Sequence, residues 1–204
     1  MKKSPFALFI AAALCLSACA GSGTPTRYYT LAASGSAKAS VKLPYNLVVK
    51  KFSVDPAYNQ THIVYRESPY DFMAYNNDLW ATNPEHQVAT VLAEELKRSG
   101  LFPKIELRAT EIPDLELAGF LVAIEEVDVD SSERYARVAL ELSLRDVKKD
   151  SLLWKKSYDE NERLAGTEPR EIAKAASVLV NRYAEDVVRE FERILSGKSE
   201  SAGF

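Results

Sequence analysis

Arg134-Tyr135-Ala136-Arg137-Val138-Ala139-Leu140-Glu141-Leu142-Ser143-Leu144-Arg145-Asp146-Val147 carries the clearest period in the chain. Ala136, Val138, Leu140, Leu142 and Leu144 fall on one side of an extended strand, and Arg137, Glu141, Ser143 and Arg145 on the other. Such a strand has one covered face and one wet face, the arrangement that antiparallel sheets allow. Residues 148–151 form a turn, and residues 152–163, with Trp154 and Tyr158, return as a partner strand. Upstream, residues 118–129 are also strongly β and almost wholly apolar from Phe120 to Ile124.

Helices follow this β region and precede it. Thr167 as N-cap, with Glu168 and Pro169 in the first turn, opens a helix expected to run to about Leu195. Ile172, Ala176, Leu179, Val180, Tyr183, Val187, Phe191 and Ile194 give it one apolar stripe. An earlier helix has clear ends: Asn83 as N-cap, Pro84 at the first position, Glu85 complementing the positive helix end, and Gly100 as the C′ residue. Val88, Val91, Leu92 and Leu96 make its buried face. Further strands are expected at 27–31, 47–54, 62–67, 70–75 and 104–108, with a turn at Asn76-Asn77-Asp78 and a brief extended piece at Leu79-Trp80-Ala81. Residues 32–40 are small and polar and read as a loop. The pattern predicts one α+β domain over residues 27–195, a mainly antiparallel sheet with two helices packed on one face. Residues 196–204 read as a disordered tail.

The N-terminus has a different character. Lys2 and Lys3 precede an apolar run from Phe6 to Leu16, and Ser17-Ala18 precede Cys19. The run is too short to span a bilayer, which takes about 20 residues. The arrangement resembles a bacterial lipoprotein signal peptide with its lipobox. That resemblance implies cleavage after residue 18, lipid on Cys19, and a mature chain that starts there. Cys15 is discarded with the leader, so the only mature cysteine is acylated and no disulfide is possible. Residues 20–26 form a short tether. Ala20 is neutral with respect to the Asp that favours inner-membrane retention in enteric bacteria, so the implied destination is the periplasmic face of the outer membrane.

Loss of Lys2 and Lys3 takes the net charge from −3 to −5, which argues against nucleic acid or an anionic membrane surface as the main partner. His62 and His86 are the only histidines and lie 24 residues apart; no metal site, cofactor site or catalytic constellation is expected. The pairs Glu94-Glu95 and Glu125-Glu126, and Asp128 with Asp130, read mostly as solvated surface. The feature left over is aromatic: Tyr65, Tyr70, Phe72, Tyr75 and Trp80. Such residues pack well on strands, but Tyr and Trp are also enriched in interface cores, so Tyr70, Phe72, Tyr75 and Trp80 are the candidate protein contact.

Several segments together resemble the ABC-type transport auxiliary lipoprotein family. They are Pro25-Thr26-Arg27-Tyr28-Tyr29-Thr30-Leu31 just behind the lipobox, Leu79-Trp80-Ala81, Val91-Leu92-Ala93-Glu94-Glu95-Leu96, Ser99-Gly100-Leu101-Phe102, the strand pair with Trp154, and the terminal helix. The resemblance covers about residues 19–195. It implies a non-catalytic periplasmic subunit of an MCE-type intermembrane lipid transport system, docking an MCE-domain protein assembly at the outer membrane, with ring-like self-association (a homo-oligomer) as a further expectation. The alternative is an outer-membrane lipoprotein with an assembly or secretion-accessory role.

Overall fold

The computed structural model describes residues 24–130 and 133–201. The leader, Cys19 and the first part of the tether lie outside the described residues. In chain order the elements are β1 (Arg27–Tyr29), β2 (Asn46–Val49), β3 (Ser53–Val54), a 3-10 turn (Pro56–Tyr58), β4 (His62–Arg66), β5 (Met73–Trp80), helix α1 (Pro84–Ser99), β6 (Lys104–Glu106), β7 (Leu115–Asp130), β8 (Glu133–Asp146), β9 (Ser151–Arg163) and helix α2 (Pro169–Ser201).

The architecture is α+β, with two helices and one nine-stranded sheet. The sheet is organised by β7. One edge of β7 pairs antiparallel with β8 along nearly its whole length, from Leu115 opposite Asp146 to Asp130 opposite Glu133. β8 in turn pairs antiparallel with β9. The other edge of β7 is shared by three short strands in succession, all parallel to it: β2 at Leu115–Leu117, β3 at Phe120–Leu121 and β4 at Glu125–Val127. β6 adds to β2, β5 to β4, and β1 to β5. The long hairpins are therefore antiparallel as expected, while the short strands make the sheet mixed. Their parallel pairing follows from connections that cross over through other elements, which period-2 patterning does not reveal.

The alternation of β8 sets the layers. Ala136, Val138, Leu140, Leu142 and Leu144 are fully buried and face the helices. On the same face Tyr158 stacks on Tyr183 of α2, with centroids 4.5 Å apart, and Trp154 meets Phe191 edge-on at 5.4 Å. The Tyr183 hydroxyl donates to the Val138 carbonyl at 2.8 Å. The predicted α2 stripe is buried, with Ile194 partly so. α1 packs beside α2 on the same sheet face and ends at Gly100 with φ 78°, the left-handed conformation a glycine adopts without strain.

Four expectations change. The Asn76-Asn77-Asp78 segment is not a turn but the middle of β5, where Asp78 pairs with Arg27 of β1. Residues 47–54 form two strands, not one. α2 starts at Pro169, one residue later than an N-cap at Thr167 predicts, and it continues through 196–201 where a disordered tail was expected. Residues 30–43 are irregular but tied down: backbone N–H groups of Leu31, Ala32, Ser34 and Ala37 donate to side chains of Gln87, Ser177, Asn181 and Glu95. Those acceptors lie on both helices, so this strap stitches the N-terminal segment onto the helical layer.

Gly119 of β7 lies under the buried Phe52, whose ring would stand 2.5 Å from a Cβ at that position. Gly119→Ala should therefore destabilise the fold by about 1–3 kcal/mol, the usual cost of overpacking a filled core. Urea unfolding checks this, and an unchanged midpoint would show that Phe52 can move aside.

Candidate functional site

The end of β7 where β4 joins carries the strongest charge constraint in the molecule. Adjacent residues of a strand point to opposite faces, so Glu125 and Glu126 point apart. Both are nevertheless fully buried, which corrects the expectation of solvated surface. A buried carboxylate needs partners, and the fold supplies a separate set on each side.

On the side away from the helices, Glu125 stands opposite Arg137 of β8, whose Nη1 reaches it at 2.8 Å. Arg66 of β4 donates from Nε to the second oxygen at 2.6 Å, and the Tyr58 hydroxyl donates to that same oxygen. Burial, reinforced by Glu125, pushes the Tyr58 hydroxyl up to about 12. Arg137 also forks onto Asp159 of β9 with two bonds of 2.8 Å.

Arg66 carries this network out to the surface. Its Nη1 donates to the Asp71 carbonyl at 3.1 Å, and its guanidinium lies over the Phe72 ring at 4.9 Å. Tyr58 meets the same ring edge-on at 5.5 Å. The Ser68 hydroxyl donates to Asp71 at 2.6 Å and accepts from the Tyr70 N–H at 3.2 Å. The β4–β5 turn is thus braced from beneath by a buried ion-pair network, and it presents two aromatic rings to solvent: Tyr70 is 95% exposed and Phe72 40%.

The other two aromatic candidates are placed differently. Trp80 is 1% exposed and belongs to the core. Tyr75 is half-buried, and its hydroxyl donates to Glu126 at 2.7 Å. The accessible part of the predicted contact narrows to Tyr70 and Phe72. A side chain at a strand end can serve the core or the surface, and its sequence neighbours do not decide which. His62 donates from Nδ1 to the Tyr75 carbonyl (2.8 Å), and His86 lies 3.7 Å from Glu85. Among the described residues no group of three or more potential ligands gathers for a metal ion, and no helix is long and apolar enough to cross a membrane.

On the helix side, Glu126 pairs with Arg134 of β8, which also holds Asp128 at 3.0 Å and the Thr167 carbonyl at 3.1 Å. Burial pushes the Glu126 carboxyl up to about 7, with Asp128 adding to the rise; the Tyr75 bond and the Arg134 charge oppose it.

A second surface feature lies at the β1 edge of the sheet, beyond β5. An open groove of about 750 Å³ runs between β1 and the first turns of α2, lined by Arg27, Tyr28, Glu168, Arg170, Lys174 and Ser177 among others. Sequence reading did not find it, because its two walls are about 140 residues apart and neither carries a motif.

The family model for the ABC-type transport auxiliary lipoprotein component matches residues 29–188, from the end of β1 to well within α2. The chain belongs to this family. Its fold is similar to the crystal structure of protein XCC0632 from Xanthomonas campestris (TM-score 0.71, 16% identity, 86% of this chain and 99% of that one). It is also similar to the crystal structure of an uncharacterised protein (TM-score 0.66, 16% identity, 82% and 99%) and to the hypothetical protein CT253 from Chlamydia trachomatis (TM-score 0.50, 9% identity, 76% and 98%). At these identities the likeness concerns the fold alone. No curated protein matches the sequence. The family match takes in α1, the β4–β5 turn, the whole of β7–β9 and α2 as far as residue 188, while Arg27 and Tyr28 of the groove lie just before it.

The raised Glu126 carboxyl has a consequence for stability. In the unfolded chain it titrates near its ordinary value of 4.5, so between about 4.5 and about 7 the folded chain holds the extra proton. Stability should therefore fall as pH rises through that window. Glu126→Gln is expected to flatten this limb in thermal melts taken from pH 4.5 to 8; parallel curves for the two proteins would show that Glu126 is not the titrating group.

Proposed function

We propose that this protein is a non-catalytic, lipid-anchored subunit of an ABC-type, MCE-type intermembrane lipid transport system, which docks the periplasm-spanning assembly at the outer membrane. The observation that carries the reading is the family match over residues 29–188, just behind a leader that ends in Leu16-Ser17-Ala18-Cys19. The fold agrees with a docking role. The carboxylates that might have suggested acid–base chemistry are tied into ion pairs beneath the surface. What reaches solvent above them is a rigid turn with two aromatic rings.

In this reading Cys19 carries the lipid, and Ala20, lacking the retention signal of an Asp, leaves the outer membrane as the default destination. The seven-residue tether keeps the domain close to the bilayer. The turn at Tyr70 and Phe72 meets the MCE-domain protein: aromatic rings on a pre-braced turn bury apolar area on binding without first paying to order a loop.

Two measurements test this. Radiolabelled palmitate should enter the wild-type protein and not Cys19→Ser; label in the variant, or none in the wild type, removes the anchor. Affinity purification of the lipidated protein from membranes should recover an MCE-domain protein, and the paired change Tyr70→Ser with Phe72→Ser should reduce that recovery at least about tenfold, as loss of a small interface hot spot does. Full recovery by a variant that melts like the wild type would rule out the turn as the contact.

A further inference from the structure

We propose that the groove between β1 and α2 seats the headgroup of an anionic phospholipid in the leaflet that carries the Cys19 lipid, an inference that rests on the anchor reading above.

The first observation is charge. Three cations, Arg27, Arg170 and Lys174, line the groove with one carboxylate, Glu168; Asp78 and Glu171 beside it pair with Arg27 and Lys174, so Arg170 is the charge that the groove leaves uncommitted. Arg27 is held in place: Nε lies 3.1 Å from Asp78 and Nη1 3.5 Å from Glu168, and its side chain remains 49% exposed. Arg170 is exposed and makes no ion pair among the described residues, so its planar donor fork is available to a phosphate. Lys174 leans on Glu171 at 2.8 Å but stays largely in solvent.

The second observation is shape and apolarity. Tyr28 stands 65% exposed on the groove wall, an aromatic ring ending in a hydroxyl, and Ala32 and Ala173 line the groove beside it. A ring of that kind is suited to the boundary between headgroups and acyl chains.

The third observation is position. Arg27 follows Cys19 by eight residues, and a fully extended chain of that length reaches about 30 Å at most. The groove opens at the first element after the tether, so the anchor keeps it within that reach of the bilayer. A cationic groove there meets the negative surface potential of anionic lipids, which falls off within about a Debye length of roughly 8 Å. The commitment is to bilayer headgroups, not to free phosphate or to an acidic segment of a protein partner.

The test uses the mature lipidated protein carrying Tyr28→Trp, with mass spectrometry to verify acylation before reconstitution. The native Trp80 and Trp154 are buried, so the introduced indole is the accessible one. It is read by quenching from lipids brominated near the headgroup, in phosphatidylcholine vesicles with and without phosphatidylglycerol. Quenching should be about twofold stronger with phosphatidylglycerol, and added salt should reduce it. Arg170→Glu with Lys174→Glu, both at exposed positions, should abolish the difference without changing the melt. Equal quenching in both vesicles that survives the double change would overturn the proposal, since the tether alone would then account for proximity. Absence of quenching in either vesicle would also overturn it and would leave the groove to a protein partner. A missing acyl mass would overturn the anchor, and the proposal with it, before any vesicle is made; the vesicle outcomes bear on the groove alone.

Discussion

The sheet depends on β7 being paired along both edges. A strand of 16 residues has two rows of backbone donors and acceptors to satisfy, and a buried strand cannot leave either row to water. β8 satisfies one row in a single long ladder. The other row is divided among β2, β3 and β4. This division forces the chain to return to β7 three times before β7 itself is synthesised, so much of the fold waits on residues that come late in the sequence. It also sets where charges must be managed. Where β4 joins, β7 is covered on both faces, and Glu125 and Glu126 have no route to solvent. Removing one partner of such a buried pair commonly costs about 3–5 kcal/mol. The cross-strand placement of Arg137 opposite Glu125 and of Arg134 two residues from Glu126's own partner Ala136 is what makes these carboxylates tolerable.

The parts of this design that repeat locally were legible in the sequence. β8 announced itself by alternation, α2 by its stripe, and α1 by Pro84 and Gly100, because each of these signals is contained within one element. The Tyr70, Phe72, Tyr75 and Trp80 cluster was legible as a cluster but not as a surface. Which rings emerge depends on Arg66 and Tyr58 gathering under Phe72 and on Glu126 claiming Tyr75, and these partners come from other elements. Asn76-Asn77-Asp78 has the composition of a turn, but Asp78 accepts from the Tyr29 hydroxyl at 2.8 Å and pairs with Arg27, and those tertiary contacts outweigh local preference. The adjacent carboxylates were misread for the same reason: Arg66 and Arg137 lie 59 and 12 residues from Glu125, distances at which no spacing rule operates.

The strap at residues 30–43 links the fold to the proposed anchor. β1 alone would be a weak attachment: three residues at the edge of the sheet, paired in parallel with β5 on one side. Beyond it the chain lies along both helices, and its amides bond to Gln87, Glu95, Ser177 and Asn181, with Ser40 and Val41 bonding to Glu192. Glu95 is fully buried and accepts from both Gly35 and Ala37, and Gly35 adopts φ 73° so that its N–H can reach the carboxylate.

That arrangement would matter for a domain held, as proposed, by its N-terminus. Any pull between a membrane and a partner enters the domain at Arg27, and chain ends that are not tied down fray first. A terminal strand with nothing behind it would peel away residue by residue, each step breaking few bonds. Here the strap continues from β1 across α1 and α2, and the charge-assisted bonds to Glu95 and Glu192 are each stronger than a neutral hydrogen bond. Stripping the strap would therefore expose the buried Glu95 carboxylate and uncover the groove between the two helices at the same time. Resistance to a pull is thereby shared with the helical core.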